Sequence, residues 1–294
     1  MDLTRRACLS LGVAGVLRAQ APDLAPELTA LEKRAGGRLG VGILEVASGR
    51  MAGHRLDERF AMCSTFKLLL AAVVLKEAER GQWSLDEVLK YSEKDLIANS
   101  PVTKANVARG GMRMGEMAEA AQKTSDNTAA NLLLRKVGGP AGLTQALRGM
   151  GDRVTRLDRY EPEMNRVGVG DVRDTTSPRA MGGGGGGWLG RGGLRGGSRG
   201  GLLEWMRATE TGQKRLRAAW PKEWRAGDKT GSMWGGPVTD KINDVAIAWP
   251  RGEKGGAVVI ACYYDTGRIS QEIRDEDQAV VAEVGRIAAR MFGA

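Results

Sequence analysis

One stretch restricts the possible folds of this chain more than any other: a predicted helix over residues 65–80 that is apolar on nearly all of its sides. Every residue from 68 to 75 is apolar, and Gly81 ends the pattern. A helix without a polar face has to be covered by other elements on every side. We therefore expect this helix at the centre of a core, enclosed by the elements before and after it.

The elements predicted around this central helix follow the order helix, strand, several helices, strands, helix. Residues 22–37 have the apolar spacing of a helix, residues 39–46 are typical of a strand, and residues 112–136 hold one or two helices. Three strand-like runs come later in the chain, at residues 228–233, 243–249 and 257–264. A long amphipathic helix over residues 270–292 closes the chain. We expect the first and last parts to share one sheet.

This order predicts a two-lobe α/β (α+β) fold, in which a helical segment is inserted into a lobe built on the sheet. We assign residues 22–60 and 211–294 to the α/β lobe and residues 61–210 to the helical lobe. A cleft between two lobes is a common position for an active site.

The N-terminus has the organisation of a cleavable export signal. Paired arginines, Arg5 and Arg6, precede a short apolar stretch over residues 9–17, and Ala19-Gln20-Ala21 follows as a cleavage motif. We predict a signal peptide over residues 1–21, with the arginine pair favouring the twin-arginine route and a periplasmic or secreted location. No later stretch of the sequence is apolar for long enough to be a membrane helix.

The counts of histidine and cysteine exclude several kinds of site. Because His54 is the only histidine, a zinc site built on several imidazoles is not available, and a Ser-His-Asp triad would have to use that residue. After removal of the signal peptide only Cys63 and Cys262 remain, too few for a disulfide framework or a four-thiolate zinc site. We expect no metal and no cofactor.

Ser64 and Lys67 form a Ser-x-x-Lys motif at the start of the central helix. Their spacing puts both side chains on one face of the helix. An amine can take the proton of a serine hydroxyl if burial or nearby cations lower its pKa, and the helix N-terminus offers backbone N–H groups to an oxyanion. Taken alone, the motif is more typical of an N-cap serine followed by a surface lysine.

Ser125 and Asn127 belong to a Ser-Asp-Asn sequence between two helical segments. A second hydroxyl can pass a proton to a leaving nitrogen, and a side-chain amide can hold a substrate carbonyl. As a lone tripeptide, this sequence would instead be interpreted as a helix-capping turn.

Lys229-Thr230-Gly231-Ser232 lies in a predicted strand, where Lys229 and Gly231 share a face. The ammonium group can anchor a substrate carboxylate. The missing side chain at Gly231 lets a substrate lie against the strand edge, and the backbone N–H of Ser232 can be a second oxyanion donor. Taken alone, the motif is also typical of a strand leaving a turn.

Glu161 and Asn165 lie four residues apart in a polar segment between the last two motifs. If residues 159–165 form a helical turn, the two side chains share a face and can hold one water between them. A carboxylate with a positioned water is what the hydrolysis of an acyl-serine requires. The alternative interpretation is a polar surface turn.

Taken in this order, the motifs resemble those of the class A serine β-lactamases. The likeness extends from Leu39 to the final helix. It implies the fold of serine β-lactamases and penicillin-binding proteins, with an antiparallel sheet flanked by helices and an all-helical lobe. It also implies that a monomer hydrolyses the β-lactam amide of penicillins and cephalosporins through a serine acyl-enzyme, and that neither nucleic acid nor membrane is a partner.

The resemblance implies a role for each residue of the site. Ser64 is the acylated nucleophile, and Lys67 and Glu161 are the two candidate bases for acylation. Glu161 and Asn165 position the deacylating water, and Ser125 passes a proton to the β-lactam nitrogen. The residues expected to bind the substrate are Asn127, Arg215, Lys229, Thr230, Gly231 and Ser232.

Two further expectations come from the resemblance. An ion pair between Arg159 and Asp174 closes the Ω-loop, over residues 159–174, that carries the deacylating carboxylate. Cys63 directly precedes the nucleophile, as in carbapenem-hydrolysing members of the family. In those members this cysteine forms a disulfide with a second cysteine, and the residue at that second position here is Met233. We expect no disulfide at this position, which removes one argument for carbapenem hydrolysis.

Residues 182–201 are the largest departure from the family, because 13 of these 20 residues are glycine where the family has a helix. Each glycine inside a helix costs about 0.8–1 kcal/mol relative to alanine, so even eight would cost roughly 6–8 kcal/mol. A typical domain is stable by roughly 5–15 kcal/mol. We predict a disordered or irregular segment here and a chain less stable than its relatives.

Other functions fit parts of the sequence. A penicillin-binding D,D-peptidase shares the Ser-x-x-Lys and Lys-Thr-Gly motifs but lacks an efficient deacylating water, and a catalytically inactive sensor would stay acylated. The Arg-Gly-Gly repeats that begin at Arg191, Arg195 and Arg199 are similar to the RGG segments of RNA-binding proteins, although only Trp188 offers a stacking ring there. A flexible linker is the simpler interpretation of these repeats.

Overall fold

The computed structural model describes residues 23–183, 188, 193–252 and 256–293. The signal peptide predicted over residues 1–21 lies outside these ranges. Within them, no helix combines the length and the apolar composition that crossing a membrane requires.

A five-stranded sheet is built from both ends of the described chain. Its strands are β1 (Arg38–Glu45), β2 (Arg50–His54), β7 (Arg225–Met233), β8 (Lys241–Trp249) and β9 (Val258–Asp265). They lie in the order β2-β1-β9-β8-β7, and each neighbouring pair is antiparallel. The predicted class, a mixed α/β fold with an antiparallel sheet, is confirmed. The edge strand β2 is an addition, since no strand is predicted between residues 46 and 228.

The alternation of side chains along the strands divides the core between the two faces of the sheet. On one face, Ile260 and its neighbours pack against α1 (Ala25–Ala35) and α9 (Asp275–Met291). On the other face, Val259 and Tyr263 belong to the core shared with the helical part of the chain. Helices therefore cover both faces of the sheet, and β7 forms one of its edges.

The helical part surrounds the predicted central helix, α2 (Phe66–Glu79). Its residues 66–75 are all buried, including Lys67. The helices packed against it are α4 (Met114–Lys123), α5 (Asn127–Lys136), α6 (Gly139–Gly149) and α8 (Gly196–Arg207). The prediction of a fully covered helix is confirmed, and its first residues lie where the helical part meets the sheet.

The remaining elements are short. They are two small antiparallel pairs, two short α-helices and five 3₁₀ turns. The pairs and α-helices are β3 (Phe60–Ala61) with β6 (Thr175–Thr176), β4 (Val88–Lys90) with β5 (Gly111–Arg113), α3 (Pro101–Ala105) and α7 (Pro178–Met181). The final helix begins at Asp275, five residues later than predicted. The backbone oxygen of Ser270, which a helix beginning there would use within its first turn, instead accepts from the N–H of Gly235 at 2.8 Å.

The prediction of an irregular glycine-rich segment is wrong for residues 196–201, which form the first half of α8. Tertiary contacts compensate for the weak helix propensity of these residues. Leu202 and Met206 of the same helix are fully buried, and the backbone N–H of Arg195 donates to Glu79 Oε1 at 2.7 Å just before the helix begins. Residues 184–187 and 189–192 lie outside the described ranges.

The contacts of the Arg-Gly-Gly repeats bear on the RNA-binding alternative. Trp188 is only 1% exposed and belongs to the core, so its ring is not available to stack on a base. Arg195 donates to the backbone oxygen of Glu79, and Arg199 donates to that of Leu194 at 2.7 Å. In the described part of the repeats, the aromatic and basic groups are thus engaged within the protein.

We expect the substitutions Gly200→Ala and Gly201→Ala to stabilise the protein by about 1 kcal/mol each, because both glycines lie inside a helix. A Cβ atom at either position would meet no other atom within 4 Å. Denaturant unfolding of each variant checks the expectation. Gly81→Ala is the matched control and should destabilise, since Gly81 adopts a left-handed backbone with φ of 70°. Unchanged stability in both helix variants would contradict the argument.

Candidate active site

The hydroxyl of Ser64 lies between an amine and a carboxylate. Ser64 is part of a short 3₁₀ turn, Cys63–Thr65, that leads directly into α2. Its Oγ accepts a hydrogen bond from Lys67 Nζ at 3.0 Å and donates one to Glu161 Oε1 at 3.1 Å. Lys67 Nζ and Glu161 Oε1 are themselves 3.1 Å apart. Both groups that could remove the serine proton are therefore in contact with it.

Lys67 is fully buried and surrounded by acceptors. Besides Ser64, its Nζ donates to the backbone oxygen of Ser125 at 2.8 Å and to Asn127 Oδ1 at 2.5 Å. Burial lowers the pKa of Lys67, while the neighbouring negative charge of Glu161 opposes this effect. The shift brings the amine closer to a state in which it can accept a proton.

The side chain of Ser125 links the two buried lysines. Its Oγ accepts hydrogen bonds from Lys67 Nζ at 3.3 Å and from Lys229 Nζ at 3.1 Å. Burial and, after it, the positive charge of Lys67 lower the pKa of Lys229 to about 7. A proton given up by the Ser125 hydroxyl can thus be replaced from either lysine.

Backbone geometry helps to place both serines. Cys63, directly before Ser64, has a φ of 46°, and Ser125 has a φ of 60°. Few residues other than glycine adopt this left-handed region, and strain of this kind often occurs at functional sites. Asp126 caps α5 by accepting from the N–H of Ala129 at 2.9 Å, so the helix-capping interpretation holds for the middle residue of Ser-Asp-Asn.

Glu161 is held by two amide side chains. Asn165 Nδ2 donates to Glu161 Oε2 at 2.5 Å, so the predicted pairing of these residues across one turn is present. Asn131, on α5, donates to the backbone oxygen of Glu161 at 2.9 Å and accepts from its backbone N–H at 3.0 Å. The sequence analysis misses Asn131, although it follows Asn127 by four residues and so shares its helix face.

An ion pair closes the loop that carries Glu161. Arg159 Nε lies 2.6 Å from Asp174 Oδ2, and the other oxygen of this buried carboxylate accepts from the backbone N–H groups of Asp158 and Arg159 at 2.7 and 3.0 Å. The two ends of the Ω-loop are thereby joined through one side chain, as predicted from the resemblance.

We expect Asp174→Ala to destabilise the protein by about 3 kcal/mol, because the change breaks a largely buried ion pair and leaves the backbone N–H groups of Asp158 and Arg159 without their acceptor, although Arg159 keeps Asp171 at 3.7 Å. The fall in activity should be larger in deacylation than in acylation, since Glu161 is carried by this loop. Thermal unfolding and the steady-state fraction of acyl-enzyme measure the two effects. Asp174→Asn keeps an acceptor for the backbone N–H groups and should have the smaller effect; equal losses would contradict this account.

The position of Gly231 corrects one expectation. A Cβ atom on Gly231 would lie 2.6 Å from the backbone oxygen of Met62 and 3.1 Å from the backbone nitrogen of Ser64. The glycine therefore lets β7 approach the turn that carries the nucleophile, and its missing side chain does not face the substrate. Close approach of two backbones is a common reason for glycine in a strand.

Three other predicted substrate-binding residues line the cleft: Thr230 and Ser232 on β7, and Arg215 from the segment before it. Thr230 Oγ1 lies 2.7 Å from Thr211 Oγ1, a residue that the sequence analysis misses. Arg215 is buried and donates to Ser232 Oγ at 2.6 Å and to the backbone oxygen of Asn243 at 2.7 Å. Arg215 is thus held rigidly behind Ser232.

These groups surround one cleft of about 730 Å³. Nine of the eleven predicted site residues line it, and Lys67 and Lys229 lie buried directly behind Ser64 and Ser125. The sequence analysis also misses Trp234, which is 45% exposed at the end of β7 and lines the cleft. A large exposed aromatic ring beside a cleft is a common contact for apolar parts of a ligand.

Both described cysteines are free and buried. Cys63 belongs to a small apolar cluster with Ala61 and Val167, and the side chain of Met233 packs against this cluster. Met233 therefore fills the space beside Cys63. Within the described ranges, no group of three or more His, Cys, Asp or Glu side chains is arranged to hold a metal ion.

Fold and site together define the class of protein: a serine enzyme that transfers an acyl group through a lysine-flanked nucleophile. The model of the beta-lactamase enzyme family matches residues 23–292. Beta-lactamase L2 of Stenotrophomonas maltophilia is 45% identical to this chain over 290 residues, with 95% of this chain and 91% of the relative covered. The chain belongs to the class A serine β-lactamase family.

Two further comparisons agree with this assignment. The carbapenem-hydrolyzing beta-lactamase KPC of Klebsiella oxytoca is 38% identical over 298 residues, with 100% of this chain and 99% of the relative covered. The solved structure of an ancestral class A beta-lactamase (GNCA) has a TM-score of 0.83 and 48% sequence identity, covering 91% of this chain and 99% of that chain.

Proposed function

We propose that this chain hydrolyses the β-lactam amide of penicillins and cephalosporins through a serine acyl-enzyme. One observation carries the proposal: the carboxylate of Glu161 contacts Ser64 Oγ at 3.1 Å through one oxygen and Asn165 Nδ2 through the other. Such an arrangement supports both the formation of an ester on the serine and its removal by water.

In the acylation step, Ser64 Oγ attacks the carbonyl carbon of the β-lactam ring, and its proton passes to Lys67 or Glu161, each about 3 Å away. The backbone N–H groups of Ser64 and Ser232 stabilise the oxyanion. As the ring C–N bond breaks, Ser125 donates a proton to the nitrogen. Its contact with Lys67 Nζ at 3.3 Å allows that proton to be replaced.

In the deacylation step, a water held by Glu161 and Asn165 attacks the ester carbonyl. Glu161 takes a proton from the water, and Ser64 Oγ leaves with a proton returned through the same contacts. Asn165 Oδ1 is buried and has no hydrogen-bond partner within the described chain, so it is available to accept from this water.

The remaining residues of the cleft bind the carboxylate and the side-chain amide of the substrate. Lys229 and Thr230, with Ser232 supported by Arg215, bind the carboxylate that penicillins and cephalosporins carry next to the ring nitrogen. Asn127 binds the side-chain amide through the second hydrogen of Nδ2, because the first is donated to the backbone oxygen of Ala98 at 2.9 Å and Oδ1 accepts from Lys67.

A chromogenic cephalosporin tests this proposal against its alternatives. Purified protein is mixed with the substrate, and both product and acyl-enzyme mass are followed. Many turnovers for each protein molecule support a β-lactamase. One stoichiometric burst followed by a stable adduct indicates a D,D-peptidase or an acylated sensor, and no reaction would overturn the proposal.

The pKa of Lys229 predicts a pH dependence. Since its ammonium loses its proton as the pH rises through about 7, attraction for the substrate carboxylate should weaken, and kcat/KM should fall on the alkaline side. Lys229→Arg keeps a positive charge at higher pH, so the fall in its kcat/KM should begin at a more alkaline pH than in the parent protein. Profiles of kcat/KM for both proteins check this. An identical alkaline limb in the two profiles would assign it to another group.

We also propose that the protein is exported, on the basis of the predicted signal peptide over residues 1–21 and its arginine pair, and that it is a monomer, as the family resemblance implies. Cell fractionation of the full-length chain should find the protein outside the cytoplasm. Replacement of Arg5 and Arg6 by lysine should retain it inside, because the twin-arginine route reads that pair. Size-exclusion chromatography tests the oligomeric state.

A further inference from the structure

A buried amide joins the two segments that lead to Ser125 and Lys229. Gln122, on α4, is fully buried, and its Nε2 donates to the backbone oxygen of Asp228 on β7 at 2.9 Å. We propose that Gln122 is a positioning residue for β-lactam opening, because it holds β7 at the distance from α4 at which Lys229 orients the hydroxyl of Ser125. This inference rests on the proposed function and adds to it a residue outside the cleft.

The contact of Gln122 and the contact of the site residues join the same pair of segments. Ser125 follows Gln122 by three residues, just beyond the end of α4, and Lys229 directly follows Asp228. Lys229 Nζ donates to Ser125 Oγ at 3.1 Å. Because β7 is an edge strand of the described sheet, its outer side has no strand partner there. Its distance from the helical part therefore depends on side chains such as this amide.

The hydroxyl of Ser125 has to present its hydrogen to the ring nitrogen of the substrate. Its Oγ accepts from Lys229 Nζ at 3.1 Å and from Lys67 Nζ at 3.3 Å. A hydroxyl oxygen accepts through two lone pairs, so these two contacts leave its hydrogen free for the cleft, which Ser125 lines. If β7 moves away from α4, the contact with Lys229 is lost and the hydroxyl can rotate out of this orientation.

Stability alone does not explain an amide at position 122. The Oε1 of Gln122 is buried and has no hydrogen-bond partner within the described ranges, which is unfavourable for stability. The backbone oxygen of Asp228 also accepts from Thr209 Oγ1 at 2.7 Å, so it would not be left unsatisfied without the amide. An apolar side chain of similar size could fill the same space. What the amide adds is a direct link between α4 and β7.

Two substrates with different leaving groups separate this role from a general structural one. Opening a β-lactam requires a proton on the leaving nitrogen, whereas a thioester with the same acyl side chain and carboxylate releases a thiolate, which requires none. Gln122→Met should lower kcat/KM for a penicillin about 10- to 100-fold, and that for the thioester less than about threefold. Its unfolding midpoint shows that the variant is folded, and Arg217 Nε still holds the side chain of Asp228 at 2.9 Å.

Thr209→Val is the matched control. It removes the other hydrogen bond to the same backbone oxygen but keeps the link to α4, so the ratio of its two kcat/KM values should equal that of the parent protein. Equal losses for both substrates in Gln122→Met, or the same change of ratio in Thr209→Val, would overturn the inference. A parent protein that turns over neither substrate would overturn the proposed function, and this inference with it. If Gln122→Met does not fold, Gln122→Leu provides the same comparison.

Discussion

Replacing Ser64 by alanine should abolish acylation, with a fall in kcat of roughly 10⁶-fold, the size of effect that loss of the nucleophile has in a serine hydrolase. The reason is geometric. Lys67 and Glu161 would remain paired at 3.1 Å, but no oxygen would remain between them to attack the ring.

The measurement is the mass of the protein after mixing with a penicillin, together with steady-state turnover. Ser64→Ala should show no adduct, and its unfolding midpoint should stay close to that of the parent because the turn and α2 are otherwise unchanged. Ser48→Ala, at an exposed turn, is the control and should react normally. A covalent adduct on the Ser64 variant would place the nucleophile elsewhere.

Glu161→Gln should trap the acyl-enzyme. A glutamine keeps the backbone contacts with Asn131 and nearly the same shape, but it cannot take a proton from water. Loss of a general base typically costs about 10²–10⁴-fold, so deacylation should slow by that factor. Acylation should be affected less if Lys67 can serve as the base.

Stopped-flow kinetics and mass spectrometry separate the two steps for this variant. The expected pattern is a burst of one product for each protein molecule, followed by a long-lived adduct. Glu163→Gln changes an exposed carboxylate on the same loop and should behave like the parent. Rapid turnover by Glu161→Gln would remove Glu161 from deacylation, while a variant that fails to acylate would identify it as the essential base for the first step.

Site residues that lie within one helical turn of each other could be found from the sequence. Ser64 and Lys67 are recognisable because their spacing on a helix is fixed by the helix itself. The pairing of Glu161 with Asn165 follows from the same rule, and the structure places these side chains 2.5 Å apart.

Residues that act through long-range contacts could not be found in this way. Asn131 contacts the backbone of Glu161, 30 positions later in the chain, and Thr211 contacts Thr230, 19 positions later. The spacing of Asn131 from Asn127 places it on the same helix face but does not show which distant segment it contacts, and nothing in the local pattern distinguishes Thr211 from an ordinary loop residue. The role expected for Gly231, room for the substrate, was wrong for the same reason. Only the packing of β7 against the turn that carries Ser64 shows that the missing side chain lets the two backbones approach.

The sequence by itself determined the buried helix α2, four of the five strands of the sheet and the residue types that carry the chemistry, because apolar periodicity and short motifs are properties of neighbouring residues. Tertiary structure alone decided that residues 196–201 are helical and that Trp188 is buried. Helix propensity is worth less than about 1 kcal/mol for each residue, so packing against distant parts of the chain can outweigh it.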